Sequence, residues 1–180
     1  MKPDRGSPDG ALLDYHGRMI LFCHGLESAP IGRKSQGLID LGYEVVAPDC
    51  RGKDLAARVE LLAETMRGLA EPPLVVGSSF GGIAGLVAAI MVAREGVALD
   101  GLVLCAPALQ VAPPPDTMDD LRPPCRTAIV HGTRDEVIPI ALSRDYARRF
   151  AVELVEVDDD HGLGHAGFDA IADIVARFAQ

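Results

Sequence analysis

The feature that most constrains the fold is a Gly-x-Ser-x-Gly motif, Gly77 to Gly81, which ends an apolar run and precedes a segment rich in Ala and Gly. This is the context of a nucleophile elbow, in which a strand ends in a sharp turn and a helix follows. The turn strains the serine backbone, so residues two positions away must be small, as Gly77 and Gly81 are. The motif therefore predicts Ser79 at the carboxyl edge of a sheet and the N-terminus of a helix, where backbone N–H groups gather.

Apolar runs and amphipathic stretches alternate along the rest of the chain. Besides the elbow strand, apolar runs predict strands over 18–23, 43–47, 101–106, 126–131 and 152–157. Helical spacing and breaker residues predict helices over 31–41, 54–70, 80–94, 139–150 and 166–178. This alternation favours a three-layer α/β/α fold with a minimal, mostly parallel sheet of about six strands.

The domain organisation follows from the same pattern. Residues 1–17 are predicted to be a loosely held lead-in, within which 12–15 are a candidate edge strand, and residues 18–180 are predicted to form a single domain. The segment 107–124 holds six of the 13 prolines and is the one long irregular stretch of that domain. Long loops in compact domains are usually functional or disordered, so we interpret it as a short cover loop.

A serine hydroxyl is a poor nucleophile alone, so the elbow predicts a histidine base and an acid farther along the chain. Asp135 follows a predicted strand and is the favoured acid, with Glu136 and Asp49 as alternatives, although a lone aspartate there is typical of a turn. His161 lies in a Gly-flanked loop after the last predicted strand and is the favoured base. His165 is its alternative, for which a capping or packing role is preferred.

Acyl chemistry at Ser79 also needs backbone N–H donors for the developing oxyanion. One is predicted to be the N–H of Phe80, the residue after the serine, and the other the N–H of Leu26, in the loop after the first strand. An ordinary strand-end turn is the alternative for His24 and Gly25 in that loop. His16 and His131 are predicted to be structural.

Several of these segments together resemble the α/β-hydrolase superfamily over residues 18–180. The resemblance is carried by His24-Gly25, the elbow at 77–82, the segment 131–139 and Asp160-His161, with the serine, acid and histidine in the chain order of that superfamily. The compact size and the segment 24–30 resemble small, nearly capless bacterial esterases of the YqiA-like or dienelactone-hydrolase-like kind. The resemblance implies a sheet in which the first two of the usual eight strands are lost or vestigial.

The resemblance also implies an activity. A serine hydrolase would cleave the carboxylic ester of a small or protruding substrate, free or borne on a carrier, through an acyl-enzyme intermediate, with no metal and no organic cofactor. The alternatives are a thioesterase, acyl transfer or peptide cleavage on the same triad, and a catalytically silent domain used for binding. Because all three triad positions are filled, a catalytically silent binding domain is the disfavoured alternative.

Charge and composition limit the partners. The formal net charge is −9, which makes nucleic acid or an anionic membrane surface a poor partner. The four cysteines have no C-x-x-C spacing and are predicted to be buried thiols, not disulfides or zinc ligands. Without a signal-peptide pattern or a bilayer-length apolar run, a cytoplasmic location is expected, while the oligomeric state stays open.

Two groups of side chains bear on the substrate. Leu109, Val111, Met118 and Leu121 lie in the predicted cover loop, and ordinary packing is preferred for them over an acyl pocket. Four cationic side chains follow strand exits: Arg33, Lys34, Arg51 and Lys53. Solvated surface charge is the favoured interpretation for them, and contact with an anionic leaving group is the alternative.

Overall fold

The computed structural model describes residues 18–114 and 120–180, which form one six-stranded sheet with helices on both faces. In chain order the elements are β1 (Met19–Cys23), α1 (Arg33–Asp40), β2 (Glu44–Val46), α2 (Leu55–Gly68), β3 (Leu74–Ser78), α3 (Phe80–Arg94), β4 (Gly101–Cys105), β5 (Thr127–Gly132), α4 (Ile140–Phe150), β6 (Glu153–Val157) and α5 (Ala166–Phe178). The candidate strand at 12–15, His16 and Met118 lie outside the described residues.

The strand order is β2-β1-β3-β4-β5-β6, and every neighbouring pair is parallel. The three-layer α/β/α prediction is confirmed, and the sheet is parallel throughout. The order reverses between β1 and β3, which marks the point where open α/β sheets form their binding crevice at the carboxyl ends of the strands.

Two apolar layers sandwich the sheet, because alternate residues of each strand point to opposite faces and both faces are covered. One layer joins Leu21, Val75 and Leu104 to side chains of α2, α3 and α4. The other joins Phe22 and Val76 to side chains of α1 and α5. This rigid frame fixes the loops that leave the carboxyl ends of β1, β3, β5 and β6.

Three of the four cysteines are buried, as the sequence predicts, and the fourth is only partly buried. All four thiols are free; Cys23, Cys50 and Cys105 are buried, and Cys125 is partly buried. Burial raises the pKa of the Cys125 thiol to about 12, so this thiol is protonated at neutral pH and is a poor nucleophile.

Candidate active site

The segment Gly77 to Gly81 forms the sharp turn that its sequence predicts. Ser79 has a φ of 54° and a ψ of −117°, outside the regions that non-glycine residues favour. A Cβ at Gly77 would lie 2.8 Å from the Gly81 carbonyl oxygen, and one at Gly81 would overlap the Cys23 carbonyl oxygen. The turn therefore closes only with glycine at both positions, and it raises Ser79 above the edge of the sheet.

The three side chains predicted as nucleophile, base and acid come together at this edge. The Nε2 atom of His161 lies 3.1 Å from the Ser79 hydroxyl oxygen. The Nδ1 atom of the same ring lies 2.7 Å from Oδ2 of Asp135. With the proton on Nδ1, His161 donates to the carboxylate and accepts from the serine hydroxyl, which is the arrangement of a Ser-His-Asp triad.

Asp135 is held as a charged acceptor although its side chain is fully buried. Burial alone would raise its pKa, but hydrogen bonds from the Ile138 N–H, from His161 and from the Val137 N–H lower the pKa below the ordinary aspartate value. Both backbone donors lie 2.8 Å from Oδ1, which leaves Oδ2 for the imidazole. The carboxylate is therefore fixed in orientation and ready to stabilise a charged His161.

His131 is the predicted structural histidine, and it contacts the acid from the far side. Its buried ring has Nε2 3.2 Å from Oδ2 of Asp135 and 3.0 Å from the Ile138 carbonyl oxygen. Its Nδ1 atom lies 2.7 Å from the Ser143 hydroxyl on α4. With its proton on Nε2, the ring donates to Ile138 and accepts from Ser143 at Nδ1, which holds it in place beside Asp135. The sequence signal was the spacing of four between His131 and Asp135.

The alternatives to the favoured acid and base lie elsewhere. Asp49 is exposed and forms an ion pair with Arg51 at 2.6 Å, and Glu136 is exposed and forms no ion pair among the described residues. His165 is the exposed N-cap residue of α5 and acts through its backbone: its N–H donates to Asp159, and its carbonyl oxygen accepts from the N–H groups of Phe168 and Asp169. Among the described residues, His161 is the histidine within hydrogen-bond reach of Ser79.

Two residues beside Ser79 have backbone N–H groups with no acceptor among the described residues. Leu26 and Phe80 both line the cleft that contains Ser79 and His161, and no hydrogen bond from either N–H occurs among the described residues. Phe80 begins α3, whose first N–H groups have no partner within the helix. Both N–H groups therefore remain candidates for the oxyanion donors that the sequence predicts.

A buried arginine, which the sequence analysis missed, supports the Leu26 loop. Nη1 of Arg58 on α2 donates to the carbonyl oxygens of His24 and Gly25 at 3.0 and 3.3 Å, and Nη2 donates to that of Leu26 at 3.3 Å. The guanidinium also lies 5.0 Å from the centre of the Phe80 ring. The Arg58 side chain thus contacts both Leu26 and Phe80. The only sequence signal for this role was a charged residue on the apolar side of α2.

His24 ties the same loop to the end of the neighbouring strand. Its Nδ1 donates to the Gly25 carbonyl oxygen at 2.8 Å, and its Nε2 accepts from the Cys50 N–H at 2.9 Å. Burial lowers the pKa of His24, which keeps the ring neutral as these two bonds require. Hydrogen bonds therefore hold the His24 side chain to its own loop and to Cys50, so this segment is more than an ordinary strand-end turn.

The cleft above Ser79 has a volume of about 740 Å³ and lies within the range of small-molecule sites. Apolar side chains supply much of its wall, among them Ala108, Val111, Val137 and Ile138. Leu109, Val111 and Leu121 pack against the core as predicted, and Val111 also reaches the cleft. The described part of the predicted cover loop thus contributes one wall.

The four cations near strand exits do not all lie at the surface as predicted. Arg33, Arg51 and Lys53 are exposed, but Lys34 is half-buried and lines the cleft with Ser79. The prediction of solvated surface charge is therefore wrong for Lys34, because α1 begins directly beside the elbow and turns this side chain inward.

Comparison with known proteins identifies the architecture. No protein-family model matches the chain, and no curated protein matches it significantly. A candidate hydrolase of the α/β superfamily from Xanthomonas campestris superimposes with a TM-score of 0.68 at 24% identity, over 89% of this chain and 99% of that one. The chain has the α/β-hydrolase fold.

Two further solved structures share this fold. A predicted CIB-like hydrolase from Thermoplasma acidophilum has a TM-score of 0.65 at 24% identity, over 89% of this chain and 85% of that one. The monoacylglycerol lipase of Paleococcus ferrophilus has a TM-score of 0.67 at 17% identity, over 89% of this chain and 94% of that one. At such identities the likeness establishes the α/β-hydrolase fold, and the chemistry must be argued from the site itself.

The described residues offer neither a metal-binding cluster nor a membrane-spanning helix. Residues 18–114 and 120–180 contain no group of three or more His, Cys, Asp or Glu side chains placed to hold a metal ion. In the same ranges, no helix has both the length and the apolar character needed to cross a membrane.

Proposed function

We propose that the protein is a serine hydrolase that cleaves a carboxylic ester through an acyl-enzyme intermediate. The observation that carries the proposal is the continuous chain of contacts from the Ser79 hydroxyl through His161 to the buried Asp135 carboxylate. Nucleophile, base and orienting acid are within hydrogen-bond reach of one another, as nucleophilic catalysis requires. The hydrolase and lipase names of structural neighbours agree with this chemistry.

In the first half-reaction, His161 takes the Ser79 proton at Nε2 while Oγ attacks the ester carbonyl carbon. The N–H groups of Leu26 and Phe80 bind the negative carbonyl oxygen of the tetrahedral intermediate. The intermediate collapses, the C–O bond to the alcohol breaks, and the alcohol leaves with the proton from His161. Asp135 stabilises the imidazolium throughout.

In the second half-reaction, His161 removes a proton from water, and the hydroxide oxygen attacks the acyl-enzyme carbonyl carbon. Collapse of this second intermediate releases the carboxylic acid and returns the proton to Ser79. No step calls for a metal or an organic cofactor. A cleft of about 740 Å³ that opens beside the serine suits a small or protruding ester, and a thioester would follow the same steps with a thiol as leaving group.

A fluorophosphonate probe tests this proposal, because it phosphonylates an activated serine and loses fluoride. We expect labelling of the wild type and none of Ser79→Ala, with turnover of p-nitrophenyl esters reduced at least ~10³-fold in Ser79→Ala and His161→Ala. His165→Ala is the matched control and keeps most of the activity. A wild type that is folded but not labelled would overturn the proposal. An inactive His165→Ala variant would assign the role of base to His165 instead of His161.

A further inference from the structure

Lys34 is the cation that the proposed mechanism does not use, although it lines the cleft beside Ser79 and His161. It is the second residue of α1, and its side chain is withdrawn from solvent, unlike that of the preceding Arg33, which is exposed. The position also disfavours a cation, because the first turn of a helix carries the positive end of its dipole. No acidic residue in that turn offsets the charge.

No partner neutralises this ammonium in residues 18–114 and 120–180. It forms no ion pair within 4.0 Å and no hydrogen bond there, and its Nζ atom stays open to the cleft, because every fully buried polar side-chain atom of these residues has a partner. Asp159 and Asp160 act on it electrostatically, but both carboxylates already accept backbone N–H groups of their own loop. Glu27 also lines the cleft, but it is exposed at the rim.

An unpaired, partly desolvated charge works against folding. Burial is the largest influence on the Lys34 ammonium and lowers its pKa from the ordinary lysine value. The exposed arginines of this acidic protein show the opposite arrangement, since Arg67, Arg144 and Arg177 each form an ion pair of 2.6 to 2.7 Å with a glutamate. Residues that break such local rules are expected at functional sites.

We propose that Lys34 binds an anionic group of the substrate, so that the natural substrate is an ester or thioester with a negative charge close to its scissile carbonyl. The inference rests on the proposed serine hydrolase. The bound anion would replace the water that Lys34 loses and would form a charge-assisted hydrogen bond inside the cleft. The ammonium is then a specificity determinant of a site whose other walls are largely apolar.

Two pairs of esters test the inference and show which half of the substrate carries the charge. Mono-4-nitrophenyl succinate and 4-nitrophenyl butyrate differ by a carboxylate on the acyl side, and 4-acetoxybenzoate and phenyl acetate differ by a carboxylate on the leaving group. For at least one anionic ester, Lys34→Gln is expected to lower kcat/KM by about tenfold or more, the loss of one charge-assisted contact. Both neutral esters should change by less than about twofold.

Lys53→Gln is the matched control, because it removes the same charge from an exposed position. Lys53→Gln should leave kcat/KM for all four esters unchanged. Lys34→Gln should unfold at the same temperature as the wild type or above it, since a partly desolvated charge is removed. An equal effect of Lys34→Gln on neutral and anionic esters, or no effect, overturns the assignment while esterase activity stands. Failure of the proposed function is distinct: the wild type would then hydrolyse none of the esters and resist the fluorophosphonate, and the inference would fall with it.

Discussion

Most of the backbone strain in the described part of the protein lies at the carboxyl edge of the sheet. Three non-glycine residues with positive φ lie there, Ser79 at 54°, Ala106 at 42° and Leu163 at 48°. Ser79 is held from both sides, because its N–H donates to the Cys105 carbonyl oxygen and its own carbonyl oxygen accepts from Gly82 and Ala108. The surrounding hydrogen bonds thus sustain a conformation that costs about 1–3 kcal/mol in isolation.

This strain predicts a stability difference between two inactive variants. Ser79→Gly should be more stable to unfolding than Ser79→Ala by about 1 kcal/mol, because glycine relieves the positive φ by more than its extra unfolded-chain entropy costs. Urea denaturation of both variants at neutral pH measures the difference. Ala151→Gly, at the left-handed C-cap of α4, is the control with positive φ outside the elbow and should gain stability as well. Equal stability of Ser79→Gly and Ser79→Ala would show that the turn stores no strain.

Most elements were predictable because each has a local signature. The segment 166–178 has helical spacing and coincides with α5, and the apolar run 101–106 contains β4. The helix predicted over 54–70 begins one residue later, at Leu55, because the Asp54 side chain accepts from the Ala57 N–H and caps α2. The segment 31–41 shortens to α1 at 33–40, since Gly32 is its N-cap and Leu41 its C-cap.

The positions of Arg58 and Lys34 could not be predicted in the same way. Arg58 contacts carbonyl oxygens 32 to 34 residues earlier in the chain, and only the packing of α2 against the elbow helix makes that reach possible. Lys34 turns inward because α1 starts at the switch point of the sheet. Both are charged residues on helices, for which solvent exposure is the ordinary expectation.

Helix α2 acts as the brace of the candidate oxyanion site through Arg58. Arg58→Lys should lower kcat on p-nitrophenyl acetate by roughly tenfold with a smaller change in KM, because a lysine keeps the charge but cannot reach three carbonyl oxygens with a planar fork. Arg67→Lys is the control on the same helix, where the side chain pairs with Glu95 at the surface. A kcat within twofold of the wild type in Arg58→Lys would show that the loop holds its shape without the fork.

The whole molecule is acidic, and two of its carboxylates are buried beside the candidate active site. Asp135 orients His161, and Asp159 accepts from the N–H groups of Asp160, His165 and Gly167, which fixes the histidine loop against the start of α5. Burial alone would raise the pKa of Asp159, but these backbone donors lower it. The ionised carboxylates of Asp135 and Asp159 therefore stabilise the fold. Protonation of either carboxylate would also disturb the residues around His161.

The sign of this linkage predicts how acid acts on the protein. A carboxylate with a lowered pKa in the folded state stabilises the fold above its unfolded-state pKa of about 3.8, and this stability is lost as the pH falls through the lower folded-state value. Asp159→Asn should therefore lose about 1–3 kcal/mol of unfolding free energy at pH 7, where the wild-type carboxylate is charged and hydrogen-bonded.

Urea denaturation from pH 7 down to pH 2.5 measures this loss, and the gap between Asp159→Asn and the wild type should narrow below about pH 4 as the wild-type carboxylate becomes protonated. Asp158→Asn is the control one residue away, since Asp158 is exposed and its side chain pairs with the surface Arg134. It should change stability by less than about 0.5 kcal/mol across the range, since exposed ion pairs contribute little. A gap for Asp159→Asn that is the same at every pH would mean that the aspartate acts through shape alone. In that case the charge of this carboxylate would not be what holds the histidine loop.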